Sequence, residues 1–234
     1  MPFDARYFAR QYTPRAWRAA GAKPILDRTR IRWLRRWIPG GRLLEIGSGL
    51  GHFARRASRS FDVVVSDLEP SVVSDAVAGS PLAGVAASGN AVPLADNVLD
   101  AVCCFDVLEH LPDPVPCLRE TYRVLRPGGA FFLSAPNPES LGARRKGSQS
   151  FIYRDPTHCS VWPMARWREQ LNLAGFREVW SGTDGLWDPP YVRRVPARLQ
   201  WALCVGATQL AWLVSPGFPW TLGENFTWIG RKPA

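Results

Sequence analysis

The chain has 234 residues, of which 46% are hydrophobic and 21% charged, and it carries a net charge of +9 at pH 7. The length suits one sizeable domain, and the ordinary composition excludes a disordered tail, a collagen-like repeat and a coiled-coil rod. Five cysteines without a CxxC pair support neither a disulfide framework nor a zinc ribbon. No apolar run is long enough to span a bilayer. We therefore expect a cytoplasmic protein, with peripheral attachment to a membrane as an alternative.

The positive charge is concentrated at the N-terminus. Residues 1–42 carry 11 arginines and lysines against two aspartates, and the rest of the chain is electrically neutral overall. Residues 25–38 predict a basic amphipathic helix with Ile31, Leu34 and Ile38 on one face. Such a helix can cover a pocket of its own domain or lie on an anionic membrane, and the neutral body argues against nucleic acid.

After this arm, short apolar segments alternate with helical patterns. Strands are predicted at 42–46, 62–67, 99–105, 129–135, 176–180 and 225–233, and helices at 51–59, 69–79, 113–125 and 162–175. Alternation of this kind predicts a doubly wound α/β fold with a mostly parallel sheet and helices on both faces.

The expected boundaries are a basic helical arm at 1–41 and a main domain at 42–234 with an insert at 183–224. The segment 136–161 shows little periodicity, and loops of that length usually serve a site. The segment 199–223 contains no charged residue. It is interpreted as a lid or wall for an apolar substrate, or as a surface for lipid or for a second subunit.

The clearest motif is LLEIGSGLGHF at 43–53, where a strand ending near Glu45 runs into Gly47, Gly49 and Gly51. The glycines let the backbone turn tightly and approach a ligand. The GxGxG spacing differs from the GxGxxG of dinucleotide sites, and no Lys-Ser or Lys-Thr pair follows, so a P-loop is excluded. About 20 residues later the second strand ends at Asp67, which can bind ribose hydroxyls or cap the next helix.

Together with Gly89-Asn90-Ala91, the segment 105–110 (FDVLEH) and the segment 125–138 (LRPGGAFFLSAPNP), these motifs resemble the class I S-adenosylmethionine-dependent methyltransferases. The branch is the small-molecule one that includes ubiquinone-biosynthesis-type O-methyltransferases. The resemblance covers about residues 40–182 and the final strand. It implies a seven-stranded Rossmann-like sheet, S-adenosylmethionine as cofactor and S-adenosylhomocysteine as product.

The resemblance also implies which residues bind the cofactor. They are Glu45, Gly47, Ser48, Gly49, Gly51, Asp67, Leu68, Asn90, Ala91, Phe105 and Asp106. The family commonly has Asp where this chain has Asn90, whose carbonyl oxygen can still accept a hydrogen bond from the adenine amino group.

Four residues are expected to line the acceptor pocket, namely His110, Asn137, Tyr153 and Trp162. Related methyltransferases often carry a stretch like Asp155-Pro156-Thr157-His158 at this place. A histidine has an unperturbed pKa near 6.5 and can accept the proton of a hydroxyl at neutral pH. His158 is therefore the candidate catalytic base, and the alternative is that it only fastens the loop to the domain. Cys159 follows His158, but no second ligand cluster is evident, so no metal is expected.

The sequence thus predicts methyl transfer to an oxygen of a small, apolar or aromatic acceptor. One alternative is a peripheral membrane methyltransferase of a lipid or quinone precursor, with membrane contact through 25–38 and 199–223. Another is a subunit that binds S-adenosylmethionine without turnover. A homodimer is also compatible with the apolar insert.

Overall fold

The computed structural model of the chain describes residues 23–214 and 221–234. The described residues contain seven β-strands: β1 (Arg42–Ile46), β2 (Asp62–Asp67), β3 (Ala83–Ala86), β4 (Leu99–Phe105), β5 (Leu125–Pro136), β6 (Arg177–Thr183) and β7 (Asn225–Arg231). Their helices are α1 (Lys23–Trp37), α2 (His52–Ala57), α3 (Pro70–Val77), α4 (Val115–Val124), α5 (Leu141–Lys146), α6 (Phe151–Arg154), α7 (Met164–Leu173) and α8 (Ala197–Val214). Leu108–His110 and Gly147–Gln149 form single 3-10 turns.

The strands form one seven-stranded sheet in the order β3-β2-β1-β4-β5-β7-β6. β1 pairs in parallel with β2 and with β4, β2 pairs in parallel with β3, and β6 pairs antiparallel with β7. The predicted doubly wound, mostly parallel fold is confirmed. In this topology the strand order reverses between β1 and β4, and ligands bind at the carboxyl ends of the strands near such a reversal.

The chain divides into two compact units. The first comprises the residues up to Cys104, Pro116–Phe131 and Lys232–Ala234, and the second comprises Phe105–Val115 and Phe132–Arg231. In the first unit, the side chains of Leu43, Leu44, Val63, Val65, Ala101 and Val102 are almost fully buried. Parallel strands covered on both faces need such continuous apolar runs, which is why the sequence showed them clearly.

Helix α1 belongs to the first unit and packs against α2. Trp33, Leu34 and Ile38 are at most 5% exposed, and the carboxylate of the buried Asp27 accepts a hydrogen bond from Arg56 at 3.0 Å. The apolar face predicted at 25–38 is therefore turned toward its own domain. The part of the predicted arm at 1–22 lies outside the described residues.

Strand β3 was not recognised as a pattern in the sequence. Three of its four residues are exposed, because it is the edge strand beside β2. An edge strand of four residues lacks the apolar run that identifies the central strands.

The second unit has its core between α7, β6 and β7. Trp167, Phe226, Trp228 and Ile229 are each at most 1% exposed, and β6 and β7 pair along their length with one irregularity between Glu178 and Trp180. An antiparallel pair at this end of the sheet matches the two last strands predicted from the sequence.

The prediction of little regular structure at 136–161 is wrong. This segment holds α5, α6 and the Gly147–Gln149 turn. The two helices have only six and four residues, too few to show a helical period. Ser140 caps α5 by accepting a hydrogen bond from Ala143 N at 3.0 Å.

Most of the charge-free segment 199–223 lies in the 18-residue helix α8. The sequence indicated an insert without assigning a helix to it. Residues 215–220 of the segment lie outside the described residues. Within the described part of the chain, no helix combines the length and the apolar character that crossing a bilayer requires.

Candidate functional site

The glycine loop after β1 is held by the end of β2. Gly47, Gly49 and Gly51 adopt positive φ angles of 67°, 49° and 70°, a left-handed conformation that side chains with a Cβ rarely adopt. The backbone N–H groups of Gly47 and Ser48 both donate to the Ser66 carbonyl, at 2.7 and 3.0 Å. The predicted reason for the glycines, a tight turn at the strand end, is therefore met.

Asp67 ends β2 and fastens the loop directly. Its Oδ2 accepts a hydrogen bond from Gly49 N at 2.9 Å, and its Oδ1 has a long contact with Glu69 N at 3.5 Å. The residue is 8% exposed, and burial raises its pKa although backbone hydrogen bonds oppose the shift. A carboxylate at the carboxyl end of a parallel strand is suitably placed to bind the hydroxyls of a ribose.

Glu45 shapes the same loop from the other side. Its carboxylate is 6% exposed and accepts a hydrogen bond from Ala54 N, in the first turn of α2, at 3.1 Å. A carboxylate at a helix N-terminus is stabilised by the unpaired N–H groups and the helix dipole. Glu45 therefore fixes the direction in which the chain leaves the glycine loop.

The segment 89–91 follows β3. A Cβ on Gly89 would lie 2.9 Å from Ile46 Cγ2 and 3.0 Å from Cys117 Sγ, so only glycine lets this segment approach the end of β1. Leu68, Asn90 and Ala91 are exposed. Exposed side chains near the ends of β1 and β2 are available to a planar ligand such as adenine.

In the second unit, the chain leaves β4 through Phe105 and Asp106. Phe105 packs edge-to-face on Phe132 at 5.1 Å. Asp106 is exposed and has an unusual positive φ of 58°. Its Oδ1 accepts hydrogen bonds from Ser134 Oγ at 3.0 Å and from Asn225 Nδ2 at 3.1 Å. These contacts hold the turn that leads into the 3-10 helix Leu108–His110.

His158 lies beside that 3-10 turn. Its side chain is 8% exposed, and its Nε2 is 4.0 Å from Oε1 of the buried Glu109. Its Nδ1 is 2.7 Å from the Ile152 carbonyl oxygen. Because a carbonyl oxygen can only accept, Nδ1 must carry the proton, and the lone pair of the neutral ring is then on Nε2.

His110 is oriented by a two-residue relay. Thr157 Oγ1 is 2.6 Å from Asp155 Oδ1 and 2.8 Å from His110 Nδ1. Since the carboxylate accepts the Thr157 proton, the Thr157 oxygen accepts from His110 Nδ1–H. Burial and the neighbouring His158 lower the pKa of His110. At Asp155 burial acts to raise the pKa, but the hydrogen bonds from Thr157 hold the pKa below its usual value.

Glu109 is the residue of this cluster that sequence reasoning missed. It is 1% exposed, and its Oε2 has no hydrogen-bond partner among the residues that the structure describes. Burial, with a smaller contribution from Asp106, raises its pKa well above the usual range. Its backbone oxygen accepts from Cys159 N and Ser160 N, both at 2.9 Å, which fastens the 155–160 loop. The signal available was its place next to His110 within the motif FDVLEH.

The same cluster bears on the metal question. Ligand atoms of Glu109, His110 and His158 lie within 4.8 Å of one another, and two imidazoles with one carboxylate are a donor set that transition metals accept. Glu109, His110 and His158 thus form a group of potential ligands that the sequence did not indicate, and the expectation that no metal is bound stays a prediction.

The three other predicted acceptor residues differ in their surroundings. Tyr153 is 50% exposed, and Trp162 is 9% exposed and packs on Trp167 at 4.5 Å. Asn137 is fully buried, and its amide nitrogen donates to the carbonyls of Thr221 and Gly223 at 3.0 and 2.9 Å. Asn137 therefore fastens the chain that enters β7.

Comparisons with known proteins relate this chain to methyltransferases. Residues 44–133 match the family model described as a methyltransferase domain. The ubiquinone biosynthesis O-methyltransferase of Xanthomonas campestris pv. campestris (strain B100) is 34% identical over 107 residues, which are 43% of this chain and 45% of that protein. A probable S-adenosylmethionine-dependent methyltransferase of Mycolicibacterium smegmatis is 33% identical over 139 residues, 58% of this chain and 52% of that protein. The chain thus spans about half the length of the curated relatives it matches.

Solved structures extend the likeness to the whole fold. A SAM-dependent methyltransferase from Archaeoglobus fulgidus superposes with a TM-score of 0.67 at 19% identity and covers 98% of this chain and 100% of that chain. The [4+2]-cyclase SpnF superposes with a TM-score of 0.61 at 20% identity, over 89% of this chain and 81% of that chain. These identities show the fold alone. Together with the family model and the curated relatives, this fold confirms the predicted resemblance to the class I S-adenosylmethionine-dependent methyltransferases.

Proposed function

We propose that this chain, which contains a methyltransferase domain, binds S-adenosylmethionine in its first unit and methylates an oxygen of a small, apolar or aromatic acceptor. The proposal depends most on one observation, the orientation of His158. With Nδ1–H committed to the Ile152 carbonyl, the neutral ring offers Nε2 to an acceptor hydroxyl.

The cofactor contacts follow from the ends of β1 and β2. The left-handed glycines leave the loop without side chains at its turn, so the backbone can approach the methionine part of the ligand. Asp67 supplies oxygens for the ribose hydroxyls. We assign the adenine to the segment after β3, where Asn90 and Ala91 are exposed.

When bound, S-adenosylmethionine would supply a methyl group on a positively charged sulfur. An oxygen nucleophile would take this methyl group in one step, with S-adenosylhomocysteine as the leaving group. The chain has to align the acceptor and remove its proton. We assign proton removal to His158 Nε2. The resulting imidazolium would keep its Nδ1–H bond to the Ile152 carbonyl, and the Glu109 carboxyl group lies 4.0 Å from its Nε2. His110, held by the Thr157–Asp155 relay, is assigned to orienting the acceptor, as are Tyr153 and Trp162.

A phenolic acceptor panel tests this proposal. Purified protein is incubated with S-adenosylmethionine and with catechols or phenols, and S-adenosylhomocysteine is measured. Product that depends on both the acceptor and His158 supports the proposal. Tight binding of S-adenosylhomocysteine without turnover on any oxygen, nitrogen or carbon acceptor would instead indicate a non-catalytic cofactor-binding subunit.

A second candidate function is methylation of a lipid or quinone precursor at a membrane surface. It is favoured by the relatives whose names place them in ubiquinone biosynthesis and by the exposed apolar face of α8. Parallel assays with a water-soluble catechol and with the same ring carrying a long isoprenoid chain in vesicles distinguish the two. A marked preference for the chain-bearing acceptor supports the second candidate.

A further inference from the structure

Helix α8 exposes an apolar stripe. Leu199, Leu203 and Leu210 are 51%, 63% and 62% exposed, and their spacing of four and seven residues places them on one side of the helix. Ala202 and Gly206, between them, are also exposed. Contiguous apolar surface of this kind usually marks an interaction site.

A basic turn immediately precedes this stripe. Arg193, Arg194 and Arg198 are all exposed, as is Val192. None of these three arginines forms an ion pair with another residue in the part of the chain that the structure describes. The sequence from 199 to 223 adds no acidic group to balance them. The surface thus combines free positive charge with apolar side chains.

Gln200 joins the basic turn to the helix. It is 6% exposed, and its Oε1 accepts hydrogen bonds from Tyr191 N at 2.7 Å and Val192 N at 3.0 Å. Its Nε2 donates to the carbonyls of Val192 and Val195 at 2.8 and 2.6 Å. All the hydrogen-bonding capacity of one buried amide thus fixes the turn to the first turn of α8, so the charges and the apolar stripe form one preorganised surface.

We propose that this surface, formed by Val192, Arg193, Arg194, Arg198, Leu199 and Leu203, binds the anionic headgroup region of a lipid bilayer. We name it the α8 surface. Apolar side chains of an interfacial helix enter the boundary between headgroups and acyl chains, while arginines pair with lipid phosphates. The inference does not depend on the catalytic proposal, because it concerns residues outside the assigned site.

Two other assignments explain the surface less well. A symmetric contact with a second copy, centred on the α8 surface itself, would bring the arginine cluster toward its own equivalent, and like charges oppose such contact. Helix α1 has exposed arginines as well, but its apolar side chains Leu34 and Ile38 are buried in its own unit. The α8 surface is therefore the better-suited membrane contact of the two segments named in the sequence analysis.

Vesicle flotation with the full chain tests the proposal without cofactor or acceptor. We expect the protein to float with vesicles of phosphatidylcholine and phosphatidylglycerol at low salt, to stay behind with phosphatidylcholine alone, and to be released as salt screens the charges. The triple variant R193Q/R194Q/R198Q should bind roughly a hundredfold more weakly, since each arginine near an anionic surface contributes about fivefold.

Matched variants separate this surface from general charge and general hydrophobicity. R28Q/R32Q/R36Q removes the same charge from exposed positions of α1 and should change binding by less than about fivefold in total, because those arginines lie outside the α8 surface. L203Q should weaken binding, whereas L173Q, at a leucine of α7 that is 71% exposed, should not. Thermal unfolding of each variant, compared with the parent chain, verifies that the folded state is retained.

Four outcomes overturn the proposal. They are absence of binding to either vesicle, equal binding to both, equal loss in the two triple variants, and a dimer that L203Q dissociates in a protein with no lipid binding. Methyl transfer to a soluble acceptor is measured separately, so failure of vesicle binding and failure of the proposed enzymatic function are distinguishable.

Discussion

The two candidate sites, one in each unit, are built in different ways. In the first unit, the site at the ends of β1 and β2 consists mainly of backbone, with Gly49 N–H held by the Asp67 carboxylate. In the second unit, the site after β4 consists of side chains, with His158 and Glu109 supplied by segments about 50 residues apart. A ligand common to a whole class can be held by backbone geometry, whereas an acceptor that varies between enzymes requires side chains that can change.

The largest effect is expected at the glycine loop after β1. Gly49→Val should abolish binding of S-adenosylmethionine, because a branched side chain is strained at a φ of 49° and fills the space proposed for the methionine part. Calorimetric titration measures this. Gly79→Val is the control, since Gly79 has a similar φ of 60° with nothing within 4 Å of its Cβ position. Equal loss of binding in both variants would point to unfolding rather than to the loop.

A large effect is also expected when the proposed base of the second unit, His158, is removed. His158→Ala should lower the methyl-transfer rate by roughly 10² to 10⁴ and leave S-adenosylmethionine affinity nearly unchanged. The rate of the variant should recover partly at high pH, where a phenol ionises unaided. Added imidazole should restore part of the rate. If rate and pH profile are unchanged, His158 only fastens the loop to Ile152.

A smaller effect is expected at the ribose. Asp67→Ala should weaken S-adenosylmethionine and S-adenosylhomocysteine by about ten- to a hundredfold each, the equivalent of roughly 1.5 to 3 kcal/mol for a charge-assisted hydrogen bond. Both ligands contain the ribose, so the two losses should be equal within error in calorimetry. A loss confined to one ligand would contradict the assignment.

The smallest expected effect is a pH dependence of S-adenosylmethionine binding, which tests the assignment of Asp67 to the ribose. Asp67 accepts from both ribose hydroxyls only when ionised, so affinity should be full above its pKa and fall as pH is lowered through it. Because burial raises that pKa, the fall should begin at less acidic pH than for an exposed carboxyl group. Asp67→Asn should lack the dependence. A parallel decline in both proteins would place the titrating group elsewhere.

In the first unit the loop conformation is predictable because its signals are local, and cofactor binding by these residues stays a prediction. Gly47, Gly49, Gly51 and Asp67 follow buried strands whose apolar runs are continuous in the chain. The structure adds the contact that joins them, from Gly49 N to Asp67, which depends on the parallel register of β1 and β2.

The side-chain cluster in the second unit was predictable only in part. His158 and His110 were singled out as residue types, but their orientations depend on Ile152, Thr157 and Asp155. Glu109 was missed because its place next to His110 does not show whether its carboxyl group is buried or solvated. The exposure of the α8 stripe likewise depends on packing, which a charge-free segment does not reveal by its composition.

One single-turnover experiment directly tests whether Asp67 serves cofactor binding while His158 serves the methyl-transfer step. Wild type, Asp67→Ala and His158→Ala are each saturated with S-adenosylmethionine, mixed with a catechol that the wild type methylates, and the rate of product formation is measured. The account predicts that Asp67→Ala recovers close to the wild-type rate once saturated, whereas His158→Ala stays slower by roughly 10² or more. A saturated Asp67→Ala that remains as slow as His158→Ala, or a His158→Ala rate equal to wild type, would contradict it.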